Sequence, residues 1–174
     1  MIIIPFERSY WVISNKLIAG EIPASNNEEE SKIKLMRLVE IDTKVVINLQ
    51  EENEKNYQNQ LFYDYSSFLN KNNIETFRMP IKDTSIPKVE KMVEILDLID
   101  KCNLENKIVY IHCWGGVGRT GTVVGCYLIR HNLANKNNVF ETIDYLKRTT
   151  SISNRMSPET NQQKDFILSW NANQ

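Results

Sequence analysis

Five of the six glycines in this chain of 174 residues fall between Gly115 and Gly125, so backbone freedom is concentrated at one corner. The corner has a defined entrance and exit. Residues 108–111, Ile-Val-Tyr-Ile, form a short β-branched and aromatic run suited to a buried strand, and from Arg119 onward the composition is that of a helix. A strand entering a glycine turn and leaving through a helix N-terminus makes several backbone N–H groups converge on one point, where the helix dipole adds positive potential. Such a corner cradles an anion.

Three ligands compete for it. Gly116-Val-Gly118-Arg-Thr-Gly121 matches the dinucleotide pattern G-x-G-x-x-G, but that site also needs an acidic residue about twenty positions on, at the end of a second strand. Residues 138–146 read as helix instead. A nucleotide P-loop is a poor match too, because Arg119 stands where lysine is required and Cys113 where the first glycine belongs. The third reading uses every polar group. Cys113 closes the strand and Arg119 opens the helix six positions later, so the loop between them can wrap a tetrahedral anion while the planar guanidinium grips two of its oxygens. The field that holds the anion also favours a thiolate. Cys113 is thus placed as a nucleophile beneath a phosphate, against the alternative of a small buried hydrophobe.

His112-Cys113-x5-Arg119-Thr120 resembles the signature loop of the cysteine-dependent protein tyrosine and dual-specificity phosphatases. WVISNKLIAGEIP, beginning at Trp11, is similar to the first strands of many small dual-specificity members. The resemblance implies a phosphatase II-like fold, no cofactor, and a phosphorylated protein or peptide as substrate. It also implies roles. The stretch from Arg78 to Pro87 looks like the mobile acid loop and makes Asp83 the general acid, then the base for water attack on phosphocysteine; the alternatives are a helix-capping aspartate, with Glu90 as the acid. Ser157-Pro-Glu-Thr-Asn-Gln-Gln163 resembles the segment carrying a water-orienting glutamine, which is Gln163, with Gln162 close behind. Thr120 would donate to the Cys113 sulfur, and His112 would orient the loop. Trp114, Gly115, Gly116, Val117, Gly118 and Arg119 would line the substrate, with Trp114 either at the rim or anchored in the scaffold. Lys82 and Arg155 are the cations expected near that rim. A dual-specificity pocket follows, since nothing here matches the segment that deepens the pocket of the tyrosine-only members. The loop's lack of basic residues disfavours phosphoinositides. An inert phosphate-binding module and a dinucleotide-dependent oxidoreductase are the competing classes.

Composition narrows the setting. The chain is long enough to bury a core as one domain, residues 1–174, and its 41% hydrophobic and 25% charged residues are ordinary for a globular protein. A formal net charge of -1 gives no basic excess for nucleic acid. Met1-Ile-Ile-Ile-Pro5 is too short for a signal peptide's apolar region, and no run approaches the length of a membrane helix. Cys102, Cys113 and Cys126 are odd in number and widely spaced, which suits the reducing cytoplasm, and with only His112 and His131 beside them no metal site is expected.

Alternating strand and helix patterns predict a three-layer α/β domain, a mostly parallel sheet of about four to five strands flanked by helices. A hairpin is expected from 11–13 and 17–19, strands at 45–49 and 74–79, and helices at 25–39, 60–70, 87–101, 119–132, 138–148 and 158–170. Ser25 and Ser157 are the expected caps, and Ile33, Met36, Leu38 and Val39 the buried stripe of the first helix. Gly125 would allow close helix packing, and Cys126 would be core.

Overall fold

Strand β1 (Ser9–Ile13) turns through Ser14-Asn15-Lys16 into β2 (Leu17–Gly20), an antiparallel hairpin as expected. The computed structural model describes residues 4–174, so most of the apolar start, Met1 to Ile3, lies outside the described residues. Helix α1 (Glu28–Glu40), β3 (Thr43–Asn48), α2 (Ser66–Lys71), β4 (Glu75–Arg78), α3 (Val89–Leu104) and β5 (Ile108–His112) follow. Three helices complete the chain: α4 (Gly118–Arg130), α5 (Val139–Leu146) and α6 (Asn161–Ser169).

The sheet order is β1-β2-β5-β3-β4, and every pairing except β1 with β2 is parallel. Register matters here. Gly20 pairs with His112, His112 with Asn48, and Asn48 with Arg78, so four strands end on one row and their outgoing loops emerge side by side. Those loops carry Glu21, Cys113, Glu54 and Asp83.

Both faces of β5 are buried, as its unbroken apolar run requires. Val109 and Ile111 pack with Ile47, Leu96 and Val124 on one face, while Tyr110 packs with Ile18, Val46, Leu35 and Leu69 on the other. The layers are thus a helix layer that includes α3 and α4, the sheet, and α1 with α2.

Several boundaries differ from the sequence reading. Asn27 rather than Ser25 caps α1, accepting from the Glu30 N–H, and Ser25 Oγ instead braces the turn by accepting from the Asn27 N–H. Ile33 and Met36 face outward; Leu35 and Leu38 carry the buried side, because a helix with one covered face is placed by its strongest pair. The helix expected at 60–70 is mostly loop. Asn56 Oδ1 accepts from the Gln58 and Gln60 N–H groups, an Asx turn that competes with helix, and only residues 66–71 are helical. Pro87 precedes α3 instead of sitting in its first turn. Thr160, not Ser157, caps α6 through a capping box with Gln163, and Ser157 Oγ donates to the Val117 carbonyl.

Gly125 lies where α4 meets α6: a Cβ there would run into Ile167 Cδ1 and stand 2.9 Å from Cγ1 of the same fully buried side chain. Gly125→Ala should therefore destabilise the protein by about 1–3 kcal/mol despite alanine's better helix propensity, and pairing it with Ile167→Val should recover part of the loss in urea unfolding.

Candidate active site

Cys113 follows the last residue of the central strand and is 3% exposed. The loop after it doubles back sharply. Gly116 has φ +71°, and a Cβ there would lie 2.5 Å from the Gly20 carbonyl carbon and 2.7 Å from the Glu21 nitrogen, so the loop can press against the end of β2 only with glycine at this position. Helix α4 starts at Gly118 with no side chain capping its first turn. The N–H groups of that turn, at the loop's end, are where the glycine pattern leads an anion to be expected.

Arg119 is 1% exposed, and its guanidinium is the hub of the site. Nη1 and Nη2 each donate to a different oxygen of Glu54 at 2.7 Å. Nη1 also reaches the Ile81 carbonyl at 3.3 Å, and Nη2 lies 3.0 Å from Asp83 Oδ1. Nε is buried and has no hydrogen-bond partner among the described residues. Burial works against the guanidinium's charge, but Glu54 reverses this, helped by Cys113 and Asp83, and holds Arg119 above its ordinary range. Glu54 pays a desolvation penalty of its own, which Arg119, the Gln50 amide and the Glu51 N–H outweigh, so its carboxyl titrates below the usual range.

Asp83 is thus brought to Arg119 from the loop after β4, its own N–H donating to Glu51 Oε2 at 3.3 Å. Glu90, on the exposed first turn of α3, makes no such approach. Thr120 is fully buried, and among the described residues its Oγ1 has no hydrogen-bond partner, the Cys113 sulfur included. His112 Nδ1 lies 2.9 Å from the Cys113 carbonyl, which can only accept, so Nδ1 carries the proton. Burial pushes this imidazole down to about 4, so it is neutral near pH 7 and Nε2 accepts from the Tyr65 hydroxyl at 2.7 Å. Trp114 packs with the α1–α2 side of the sheet and stacks on Tyr57 at 4.3 Å between ring centroids. It is thus half-buried and anchored against aromatic neighbours, Tyr57 and Phe62.

At the C-terminal side, Gln163 is fully buried against the loop, with Nε2 3.3 Å from where a Gly118 Cβ would be. Gln162 is exposed. Arg155 comes within 3.4 Å of the Cβ position of Gly115, whereas Lys82 is simply exposed.

Three supports had no signal in the sequence. Glu54 sits in a polar stretch that reads as loop, and a single carboxylate buried against an arginine 65 positions away has no local pattern. Tyr65, the support of His112, falls in the segment mistaken for helix. Lys147 is a third: 1% exposed, its Nζ donates to the carbonyls of Ser153 and Arg155 and so fixes the segment bearing Arg155.

A thiol at a strand end, a glycine loop and a buried arginine at the next helix start point to the superfamily of dual-specificity and protein tyrosine phosphatases. The family model described as "polymorphic toxin system, DSP-PTPase phosphatase" matches residues 23–133, and the chain belongs to that family. An uncharacterized protein of Methanocaldococcus jannaschii is 33% identical over 97 residues, 56% of this chain and 55% of its own length. The chain thus spans about half the length of that archaeal relative. The tyrosine-protein phosphatase CDC14 homolog of Schizosaccharomyces pombe is 32% identical over 85 residues, 49% of this chain and 15% of that protein. Other relatives are named as a phosphatidylinositol 3,4,5-trisphosphate 3-phosphatase of Dictyostelium discoideum and a phosphatidylglycerophosphate phosphatase of Arabidopsis thaliana. Among solved structures, a mutant form of Tk-PTP is similar at a TM-score of 0.69 and 26% identity, over 92% of this chain and 91% of that one. Among the described residues no helix is long and apolar enough to cross a membrane.

His112 gives a prediction about pH. Its folded value, about 4, lies below the ordinary 6.5, so between these values the unfolded state binds more protons and stability falls as pH falls. The loss should total ~3 kcal/mol across that window. Glu54, also depressed in the folded state, adds its loss only below its ordinary value of 4.5. Urea unfolding at closely spaced pH values should show the slope between pH 6.5 and 4, and His112→Asn should flatten it.

Proposed function

We propose that the protein hydrolyses phosphotyrosine, and more weakly phosphoserine and phosphothreonine, in protein or peptide substrates through a phosphocysteine intermediate. One observation carries the chemistry: beside Cys113 the buried Arg119 keeps its Nε free of any partner among the described residues, although Glu54 saturates the far edge of the same guanidinium. A phosphate in the cradle would take that Nε–H and one N–H of Nη2, the side-on bidentate geometry of arginine with oxyanions.

The steps follow from placement. The Cys113 thiolate attacks phosphorus, the P–O bond to the leaving group breaks, and Asp83 supplies the proton that the departing oxygen needs. Loop N–H groups and Arg119 stabilise the charge on the transferring phosphoryl group. Water then opens the P–S bond, and Thr120 Oγ1, adjoining the loop, turns to donate to the departing sulfur. His112 stays neutral and holds the Cys113 carbonyl. No cofactor enters these steps. The unpaired cysteines support a cytoplasmic setting.

Charge supports a substrate with one phosphate. Residues 114–118 contain no cation. A neighbouring cavity of about 390 Å³ has Glu51, Glu52, Glu54 and Asp64 in its walls against Arg78. Additional phosphates on a lipid head group would meet these carboxylates, while Arg155, beside Gly115, is already paired with Glu159.

Cys113→Ser should lower phosphate release from an aryl phosphate by at least about a thousandfold, since a hydroxyl is far less nucleophilic, while orthovanadate still binds. Arg119→Lys should lose most activity as well, because a point charge cannot reproduce the fork. Turnover near wild type in either variant would refute the mechanism.

For substrate class, phosphate release should rank phosphotyrosine peptide above phosphothreonine peptide, with phosphatidylinositol 3,4,5-trisphosphate in vesicles lowest. A preference for the lipid would overturn the protein-substrate reading and leave the role of Cys113 standing.

A further inference from the structure

Thr84, the residue after Asp83, has φ +59°. Every other non-glycine residue with positive φ among the described residues is asparagine or aspartate, the side chains that visit this region most readily. A β-branched threonine is disfavoured there, so the turn Lys82-Asp83-Thr84-Ser85, closed by the Ser85 N–H on the Lys82 carbonyl at 3.1 Å, is strained at its third residue. Such strain persists only where the surroundings enforce it. The Thr84 side chain does not supply the enforcement, because it is exposed and its hydroxyl donates only to the adjoining Asp83 carbonyl.

The enforcement comes from the two sides of the turn. Glu51 Oε2 accepts from the Asp83 N–H at 3.3 Å. From the other side, Gln163 Nε2 donates to the Ser85 carbonyl at 3.1 Å, and Thr160 Oγ1 makes a longer contact to the Thr84 carbonyl at 3.4 Å. The Gln163 amide has a fixed seat, since its Oε1 accepts from both the Glu159 and Thr160 N–H groups at 3.1 Å and the side chain is fully buried. The start of α6 thus carries the donor that the strained turn needs.

Resting on the phosphatase reading above, we infer that Gln163 is a positioning residue for Asp83. By holding the turn in its left-handed form it keeps the Asp83 carboxyl toward the phosphate loop, 3.0 Å from Arg119 Nη2. Asp83 retains both of its duties, protonating the leaving group and then activating water, and each depends on this latch. Gln163, whose sequence context suggests a hold on water, acts instead through the loop after β4.

The parameter kcat/KM covers only the steps up to phosphocysteine, so it separates the two roles. Gln163→Asn keeps an amide at the start of α6 but is one methylene short of the Ser85 carbonyl. It should lower kcat/KM roughly tenfold for phenyl phosphate, whose phenoxide needs a proton to leave, and no more than about twofold for 4-nitrophenyl phosphate. Adding Thr84→Asn, which suits the left-handed turn, should restore about threefold of the phenyl phosphate loss; a defect confined to α6 could not be repaired there. Should the shorter amide prevent folding, Gln163→Met, of similar length and without a donor, carries the same test. Amide hydrogen exchange at residues 83–85 should quicken in either variant, with or without substrate. An unchanged kcat/KM for phenyl phosphate would overturn the assignment, and a lower kcat beside it would give Gln163 the water. Equal losses with both esters would overturn it too, making Gln163 a support of the phosphate loop, as would failure of Thr84→Asn to restore activity. Absence of phosphate release from the wild-type protein, together with faster exchange in the variant, would sink the phosphatase reading and leave the latch standing.

Discussion

The site depends first on a guanidinium that has been taken out of water. Arg119, 1% exposed, needs a counter-ion because an unpaired charge at such a position would cost several kcal/mol. Glu54 meets the need with both oxygens, and it is itself held by the Gln50 side chain and the Glu51 N–H. The turn after β3 must therefore fold back toward β5. Through the Ile81 carbonyl and Asp83 the same guanidinium also draws in the loop after β4. Three loops released by adjacent parallel strands are tied to one side chain, which is why the row of strand ends matters more here than any single helix.

The geometry of that side chain divides its labour. Glu54 occupies the end formed by Nη1 and Nη2, so the edge formed by Nε and Nη2 is left to face the loop. Only Nη2 is contested, because it also lies 3.0 Å from Asp83 Oδ1. In the proposed reaction an arriving phosphate takes an N–H of Nη2 from Asp83 and leaves the carboxyl to meet the leaving group. Binding and acid catalysis are thus coupled through one N–H.

How much of this was readable in the chain depends on whether the cause was local. The strand, the glycines and the Cys113–Arg119 spacing lie within one short segment, so the strand–loop–helix corner is legible there, while the layer architecture follows from the alternation of strand and helix patterns along the chain. The hairpin was legible for the same reason, since a three-residue turn joins its two strands. Caps were read less well: Ser25 and Ser157 have the right chemistry, but Asn27 and Thr160 are better placed, and only the fold decides which oxygen meets a free N–H. Glu54 and Tyr65 were invisible. Each acts on a residue far along the chain, Glu54 on Arg119 and Tyr65 on His112, and neither leaves a periodic trace.

The C-terminal third adds a constraint that lies beyond residues 23–133, the span shared with the family model. Gln163 is fully buried, and a buried amide must be satisfied or it destabilises the fold. Its oxygen closes the start of α6, while its nitrogen holds the Ser85 carbonyl two residues past Asp83; Thr160 Oγ1 adds a longer contact to the Thr84 carbonyl at 3.4 Å. The loop after β4 is therefore clamped to the same helix start that lies against Gly118. Because the clamp uses backbone carbonyls of the loop, it holds the backbone beside Asp83 without depending on the loop's side chains, and leaves the Asp83 carboxyl to its ion pair with Arg119.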